Sequence, residues 1–170
     1  MQLSCPITVV IPTYNEAENL PKLVSALFAL PLPALTVLVV DDASPDGTGK
    51  LADGLANAYP GRVSVFHRSG KQGLGTAYIE GFRYALQQGA RMIAQMDADF
   101  SHDPARLPEL VQALEQVEAG FGSRYIPGGS VDKRWPAWRK GLSWFGNFYA
   151  RTILGLPIQD VTGGFRTWRS

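Results

Sequence analysis

The sequence predicts an α/β fold in which a mostly parallel sheet is flanked by helices. Short apolar, β-branched runs recur along the chain, and amphipathic stretches of helical length separate them. Alternation of this kind favours right-handed crossovers between parallel strands. Polar or glycine-rich turns follow the apolar runs, as they do at the ligand-binding edge of open α/β sheets. A chain of 170 residues fits one domain with a sizeable core.

Two strand–helix units open the chain. An apolar run from Ile7 predicts a strand, and Asn15 is placed to cap the helix after it. The second strand is a near-continuous apolar run, which is typical of a strand buried on both faces. The turn 44–47 leads into a helix that Gly49 and Gly54 weaken. The predicted elements are strands over 7–12 and 35–41 and helices over about 15–30 and 48–59.

Further strand–helix units follow. A polar glycine loop, 69–75, separates the third strand from its helix. After the fourth strand, Asp103 and Pro104 form an N-cap with proline at the first helical position. A long loop over 125–136 resembles a mobile lid, because structureless loops of that length are usually functional or disordered. The predicted elements are strands over 62–66, 91–97 and 119–123 and helices over about 76–88, 104–117 and 137–154.

Composition and charge exclude several classes of protein. A formal net charge of +1 lacks the basic excess of a general nucleic-acid binder, so we expect no nucleic-acid partner. No apolar run approaches the length of a membrane span, and the N-terminus lacks the pattern of a signal peptide. The single cysteine, Cys5, is consistent with a reducing compartment because it has no partner for an internal disulfide. We therefore expect one cytoplasmic domain over residues 1–170.

The acidic turn after the fourth strand is the most informative segment. Asp97 and Asp99 are spaced i, i+2, which places both on one face of a strand, roughly 6.5 Å apart along the backbone. A modest bend at the strand end brings both within reach of one hard cation. Oxygen ligands suit Mg²⁺ or Mn²⁺, which usually bridge a few carboxylates to substrate phosphates. Taken alone, two carboxylates at this spacing are as typical of a solvent-exposed acidic turn as of a metal site.

A second acidic junction follows the second strand. Asp41, Asp42 and Asp46 cluster there, although capping the next helix needs only one carboxylate. Asn15 and Glu16 follow the first strand in the same way. Because the carboxyl ends of parallel strands meet at one edge, these polar clusters predict a ligand site at that edge.

Other α/β functions fit less well. A dinucleotide-binding fold would carry G-x-G-x-x-G after the first strand, where residues 12–17 contain no glycine. The glycines of 71–75 follow the third strand and lack the spacing of a P-loop. A phosphatase with an aspartyl nucleophile at Asp41 or Asp42 and a Mg²⁺ ion stays open as an alternative.

Seven segments carry a family resemblance. Four of them resemble the inverting family-2 glycosyltransferases of the GT-A fold, which is Rossmann-like: residues 11–16, 40–48, 71–77 and 97–99. Three more resemble the dolichol- or polyprenol-phosphate mannosyltransferases within that family: residues 101–104, 122–125 and 160–166. The segments occur in the expected order from Ile7 to the last residues.

The resemblance implies an enzyme that transfers a sugar with inversion from a nucleotide diphosphate donor to a polyprenyl or dolichyl phosphate. GDP-mannose is the donor in the best match. The carboxylate of Asp42 suits a base N–H or ribose hydroxyl, and Tyr14 offers a stacking face. The implied donor-contacting residues are Pro12, Tyr14, Glu16, Val40, Asp42, Lys71, Asp97 and Ala98.

The resemblance also implies the metal and acceptor residues. The metal, Mg²⁺ or Mn²⁺, would be held by Asp97, Asp99 and Ser101, the serine acting through water where some members carry glutamine. A phosphomonoester has a second pKa of about 6, so the lipid phosphate is ionised near neutral pH and needs no strong base. It needs cations that align it with the anomeric carbon. The implied catalytic residues are Asp99, Arg124, Arg139 and Asp160.

The helix over 137–154 fits a lipid substrate. At 100° per residue, one half is aromatic and apolar: Trp138, Leu142, Trp144, Phe145, Phe148, Tyr149, Thr152 and Ile153. The other half is polar and basic: Arg139, Lys140, Ser143, Asn147 and Arg151. Such a helix is typical of a peripheral membrane contact, here at the cytoplasmic face. Packing of the aromatic half against the core is the alternative.

Two further alternatives stay open. Catalytic domains of the family continue for several tens of residues beyond the segment of Asp160, so we expect a domain shortened at its C-terminus, at Ser170. A nucleotide-sugar-binding module without transfer activity is therefore the first alternative. The second is a polyprenyl-phosphate glycosyltransferase that uses UDP-glucose, because users of GDP and UDP share the early motifs.

Overall fold

A computed structural model of the chain describes residues 6–123, 137–155, 158, 160 and 163–170. Cys5, Arg124 and the predicted lid over 125–136 lie outside the described residues. For Arg139, the structure describes its place in a helix and not its side chain.

Six strands of the described residues form one mixed sheet. They are β1 (Ile7–Thr13), β2 (Leu35–Asp41), β3 (Val63–His67), β4 (Met92–Gln95), β5 (Ala119–Phe121) and β6 (Arg166–Arg169), in the order β3-β2-β1-β4-β6-β5. The first four strands are parallel to one another. The last strand, β6, runs antiparallel to both of its neighbours, β4 and β5. The mostly parallel sheet is confirmed, and β6 is an element that the sequence pattern does not predict.

Five α-helices connect or follow these strands in the described part of the chain. They are α1 (Leu20–Phe28), α2 (Thr48–Ala58), α3 (Leu74–Gln87), α4 (Leu107–Ala113), which one 3₁₀ turn over 104–106 precedes, and α5 (Ala137–Leu154). The cap predicted at Asp103 is present, because its carboxylate accepts a hydrogen bond from the backbone N–H of Ala105 at 2.9 Å. The fourth helix ends at Ala113 rather than near 117, and β4 ends at Gln95 rather than at 97.

The predicted start of the first helix at Asn15 is wrong. Asn15 adopts a positive φ of 62°, and α1 begins at Leu20. The backbone of 15–17 is held instead by the turn after β2, through hydrogen bonds from Asn15 N to Ser44 Oγ, Glu16 N to Thr48 Oγ1 and Ala17 N to Asp46 Oδ2. These donors would otherwise have begun the helix, so the tertiary contact delays it.

Two apolar layers cover the sheet, one on each face. Alternate residues of β1 divide between them: Val9 and Ile11 pack in the cluster with α1, α2 and α4, and Val10 packs in the cluster with α3. The same alternation in β2 explains its continuous apolar run, because each face of that strand meets a helix. The core therefore holds the carboxyl ends of the parallel strands at one rigid edge.

Gly81→Ala is expected to destabilise the fold by about 1–3 kcal/mol. Gly81 lies in α3 against the sheet, and a Cβ there would lie 2.6 Å from Cγ1 of Val10 and 2.9 Å from Cγ2 of Val40. Both valines are fully buried, so neither can move aside without shifting its strand.

The matched control is Gly54→Ala in α2, where an added Cβ meets nothing within 4 Å. That variant is expected to gain up to about 1 kcal/mol from helix propensity. Urea denaturation measures both, and an equal gain in the two variants would contradict the close approach of α3 to the sheet.

Candidate active site

The polar turns meet at one edge of the sheet, as the sequence predicts. The carboxyl ends of β1, β2, β3 and β4 lie side by side because these strands are parallel. The strand β6 is antiparallel to β4, with Arg166 opposite Gln95, so the segment before β6 reaches the same edge. This edge therefore gathers the acidic turn of 97–99, the turn after β2, the glycine loop and the segment that leads into β6.

The acidic turn presents one held carboxylate and one exposed carboxylate. Asp97 is half-buried, and its Oδ1 accepts a 2.6 Å hydrogen bond from the hydroxyl of Tyr78 in α3. Asp99 is exposed, and its Oδ1 accepts a 2.9 Å bond from the backbone N–H of Ser101. Phe100, which lies between Asp99 and Ser101, has a φ of 56°, and this conformation turns the chain sharply after Asp99. The turn thus brings Asp99 and the backbone of Ser101 together.

Tyr78 acts as a fixed donor to Asp97. Burial, reinforced by the neighbouring charge of Asp97, raises the pKa of Tyr78 above its ordinary value. The hydroxyl therefore keeps its proton and stays available to hold the carboxylate. The sequence pattern does not reveal this role, because Tyr78 occupies an apolar-looking helical position and its partner is 19 residues away.

The segment that contains Asp160 lies against the acidic turn. A Cβ added to Gly164 would overlap Oδ2 of Asp97 and would lie 3.3 Å from Nε2 of His102. An added Cβ at the neighbouring Gly163 would lie 3.4 Å from Cγ of Asp160, an ordinary contact distance. Asp160 itself is 1% exposed. Gly164 therefore lies against Asp97, and its neighbour Gly163 lies against Asp160.

The acidic turn has the oxygen donors that a hard cation prefers. In the part of the chain that the structure describes, no group of three or more His, Cys, Asp or Glu side chains is arranged to hold a metal. Two carboxylates and a hydroxyl, from Asp97, Asp99 and Ser101, match the chemistry of Mg²⁺ or Mn²⁺, which keep positions for phosphate and water. Asp99 and Ser101 are exposed, whereas Asp97 is half-buried.

The acids after β2 have local partners. Asp41 is 2% exposed and accepts hydrogen bonds from Thr13 Oγ1 at 3.1 Å and from Ser44 Oγ at 2.6 Å. Asp46 accepts from Thr48 Oγ1 at 2.6 Å, and this bond is the main reason that the pKa of Asp46 is lowered. Asp42 is ion-paired with a buried arginine at 2.6 Å. Both oxygens of Asp41 are thus hydrogen-bonded, whereas Asp42 is paired through Oδ1.

A buried arginine lies between the turn after β2 and the glycine loop. The side chain of Arg68, directly after β3, is only 1% exposed. Its guanidinium contacts Asp42, Glu80, Thr76 and Gln72. Arg68 lies between the predicted third strand (62–66) and the predicted glycine loop (69–75), and no predicted role covers it. A charged residue directly after a strand at the ligand-binding edge was the available signal.

The other predicted donor residues fall into two groups. Tyr14 and Lys71 are exposed, and Nζ of Lys71 lies 4.2 Å from the centre of the Tyr14 ring, a cation–π geometry. Glu16 is half-buried and accepts a 2.8 Å bond from Asn19. The second group is buried in part or in full: Pro12 pairs in register in the sheet with Val40, whose side chain is fully buried, and Ala98, in the acidic turn, is 3% exposed. Predicted contacts of Val40 and Ala98 with a donor therefore concern their backbone only.

The aromatic half of α5 is exposed. Its large apolar side chains are more than half accessible: Trp138, Leu142, Trp144, Phe145, Phe148, Tyr149 and Ile153. Asn147, from the polar half, is 4% exposed, and Ser143, Gly146 and Ala150 are half-buried. The alternative in which the aromatic half packs on the core is therefore wrong. Among the described residues, no helix combines the length and the apolarity that crossing a membrane requires.

A known protein family matches nearly the whole chain. The model of the family "Glycosyl transferase family 2" matches residues 8–170. This chain belongs to glycosyltransferase family 2. The family domain therefore spans the whole sheet edge described above, from the turn after β1 to the segment before β6.

Curated relatives of this family-2 domain include two bacterial enzymes. The chain is 49% identical over 162 residues to the polyprenol monophosphomannose synthase of Mycolicibacterium smegmatis, a match that covers 95% of this chain and 60% of the relative. It is 48% identical over 164 residues to the undecaprenyl-phosphate mannosyltransferase of Micrococcus luteus, with coverage of 96% and 66%. The chain thus spans about three-fifths to two-thirds of the length of these two relatives.

Solved structures confirm the GT-A prediction. A mannosyltransferase from Pyrobaculum calidifontis in complex with GDP-Man and Mn²⁺ is 27% identical, with a TM-score of 0.57, and the match covers 69% of this chain and 35% of that protein. The glucosyl-3-phosphoglycerate synthase of Mycobacterium tuberculosis in complex with Mn²⁺ and UDP is 18% identical, with a TM-score of 0.67 and coverage of 99% and 57%. The second similarity supports the fold alone.

Proposed function

We propose that the chain is the catalytic domain of a polyprenyl-phosphate mannosyltransferase. It would transfer mannose from GDP-mannose to a polyprenyl or dolichyl phosphate, with inversion and with Mg²⁺ or Mn²⁺. The observation that carries the proposal is the acidic turn at the carboxyl edge of the sheet, which presents Asp99 beside the loops of Tyr14, Asp42 and Lys71. The names of the two bacterial relatives support the choice of sugar and acceptor.

The donor would lie across the ends of the parallel strands. Asp42 would accept a hydrogen bond from the base or ribose, and the backbone of Val40 and Ala98 would line the same groove. Tyr14 and Lys71 already contact each other, and together they offer a ring face and a cation to a nucleotide. Pro12 and Glu16 would complete the wall on the side of β1.

The metal would be held at the acidic turn. Asp99 would be its direct ligand, with Asp97 beside it and Ser101 acting through water. Tyr78 and Gly164 contact Asp97 from two sides. Asp97 and Asp99 would therefore be held in position before the donor binds. A bound divalent ion would neutralise the donor diphosphate and the charge that develops on the departing nucleotide.

The acceptor side would rely on cations and alignment. The lipid phosphate is ionised near neutral pH and can attack the anomeric carbon without a base. We assign Arg124 and Arg139 to holding that phosphate in line with the bond that breaks, since arginine binds phosphate bidentately. Asp160 would orient the acceptor side, because it lies beside Gly163 and the next residue, Gly164, packs against Asp97.

Nucleotide binding followed by transfer tests the proposal. Calorimetry with GDP and with UDP, each with Mn²⁺, measures the base preference, and Mg²⁺ in place of Mn²⁺ measures the metal preference. Transfer from GDP-mannose to a short polyprenyl phosphate is the expected result. Binding of GDP without transfer would favour a nucleotide-sugar-binding module. Preference for UDP, with transfer from UDP-glucose, would favour a polyprenyl-phosphate glycosyltransferase that uses UDP-glucose.

We also propose that α5 forms a peripheral contact with the membrane that holds the acceptor. The helix contains no acidic residue, and Arg139, Lys140 and Arg151 make it basic. Its exposed aromatic side chains are of the kind that insert at the headgroup boundary. A basic, aromatic helix at the membrane surface would bring the domain close to a lipid phosphate at the cytoplasmic face.

Replacing Trp144 and Phe148 with glutamine is expected to reduce binding to vesicles that contain anionic lipid by about tenfold or more. Burial of each ring in the membrane contributes on the order of 1.5–3 kcal/mol to the binding free energy, and glutamine does not supply it. Co-sedimentation measures the effect, and wild-type binding is expected to weaken as salt is raised. The control is Ile79→Gln, an exposed apolar position on α3. Wild-type binding that is absent or insensitive to salt would contradict the contact.

A further inference from the structure

We propose that Arg68 is a positioning residue that fixes Asp42 and the glycine loop for binding of the donor's nucleoside. The inference rests on the proposed function, in which Asp42 contacts the base or ribose. Arg68 would not touch the donor itself, because its side chain is 1% exposed. It would act through the two donor-side turns that it joins.

Every nitrogen of the guanidinium is used. Nη1 donates to Asp42 Oδ1 at 2.6 Å, Nε donates to Glu80 Oε2 at 2.9 Å, and Nη2 donates to Thr76 Oγ1 at 2.8 Å and to Gln72 Oε1 at 3.4 Å. A buried guanidinium is stable only when it is paired and hydrogen-bonded in this way. The planar fork therefore fixes the relative positions of its partners, which lysine cannot do.

The pairing leaves one oxygen of Asp42 for a ligand. Among the described residues, Oδ1 is bound by Arg68 and no partner of Oδ2 is found. In the same residues, Nε of Arg62 is the single fully buried side-chain nitrogen or oxygen without a partner. Oδ2 of Asp42 must therefore reach solvent. Because Arg68 holds the other oxygen, the carboxylate cannot rotate freely, and Oδ2 is preorganised as one acceptor.

The same arginine secures the glycine loop. Its backbone N–H donates to the carbonyl of Asp41 at 2.8 Å, which ties the loop to the end of β2. Thr76 Oγ1, which accepts from Nη2 of Arg68, donates to the carbonyl of Gly73 at 2.7 Å. Lys71 lies within this loop and over the ring of Tyr14. Arg68 thus connects the turns after β2 and β3, and Lys71 extends the connection to the turn after β1.

Arg68→Lys tests the inference because it keeps the charge and removes the fork. We expect the Kd for GDP with Mn²⁺ to rise about tenfold, from the loss of hydrogen bonds to a charged group. The KM for GDP-mannose would rise in parallel, and kcat would stay within about threefold. Binding of Mn²⁺-pyrophosphate, which has no nucleoside, would not change. Glu80→Gln is the control, since it leaves the bond to Asp42 in place, and its effect is expected to stay under about threefold.

Thr76→Val is the second variant, in case Arg68→Lys does not fold. Thr76 is exposed, so the fold should tolerate the change, and removal of its hydroxyl should also weaken GDP binding. Thr76→Ser keeps the hydroxyl and should restore affinity. Equal losses for GDP and pyrophosphate, a fall in kcat alone, or unchanged GDP binding would overturn the inference. Failure of the wild-type protein to bind GDP with Mn²⁺ would overturn the proposed function as well.

Discussion

Asp99→Asn is expected to lower kcat/KM for mannosyl transfer by about a thousandfold, which corresponds to roughly 4 kcal/mol of transition-state stabilisation. The amide loses the charge that would hold a divalent cation opposite the donor diphosphate. The fold should not change, because Asp99 is exposed and its observed hydrogen bond is to the N–H of Ser101, which asparagine can also accept. Steady-state transfer assays measure the effect, and a chelator should reduce the wild-type rate to a similar level.

Asp103→Asn is a closely matched control for this prediction. Asp103 is also exposed and accepts one 2.9 Å hydrogen bond from the backbone N–H two residues on, that of Ala105. Asparagine is an equally good cap, so activity should stay within about twofold. Equal losses at Asp99 and Asp103 would mean that the charge of the whole loop matters, and not a ligand at Asp99.

Gly164→Ala is expected to lower kcat by about a hundredfold, because a displacement of about 1 Å in a group that positions the reactants reduces the rate by about this factor. An added Cβ would overlap the carboxylate of Asp97 and crowd His102, so the acidic turn must shift. Tyr78 holds that carboxylate from the other side and limits where it can go. The expected loss is in transfer and in Mn²⁺-dependent nucleotide binding, with a smaller loss in unfolding free energy.

The control for Gly164→Ala is Gly54→Ala, which adds the same methyl group where nothing lies within 4 Å. That variant should keep wild-type activity. An active Gly164→Ala protein would mean that Asp97 is not needed at the position that Tyr78 and Gly164 give it.

The parallel strands and their edge could be predicted from the sequence because their signals are local. The run of β2 is buried on both faces and ends in its acids, so the pattern contains both the strand and its polar end. The strand β6 could not be predicted in this way. Its four residues include Arg166 and Arg169, and its pairing depends on β4 and β5, which are far away in the chain.

The same distinction applies to the site. Asp97 and Asp99 were predicted from their spacing, and the structure places them on one turn at the expected edge. Arg68 and Tyr78 were missed because each acts through a partner on another element, at Asp42 and Asp97. The late start of α1 has the same cause, since the turn after β2 binds the backbone that Asn15 would have capped. The roles of Arg124 and Arg139 stay predictions.

Metal-dependent nucleotide binding at Asp99 tests the central claim most directly. Calorimetric titration of GDP, with and without Mn²⁺, would be compared between the wild-type protein and Asp99→Asn. We predict that Mn²⁺ tightens GDP binding by the wild-type protein at least tenfold, and that this gain disappears in the variant. An equal gain from Mn²⁺ in both proteins would show that the cation binds elsewhere, and would contradict the account.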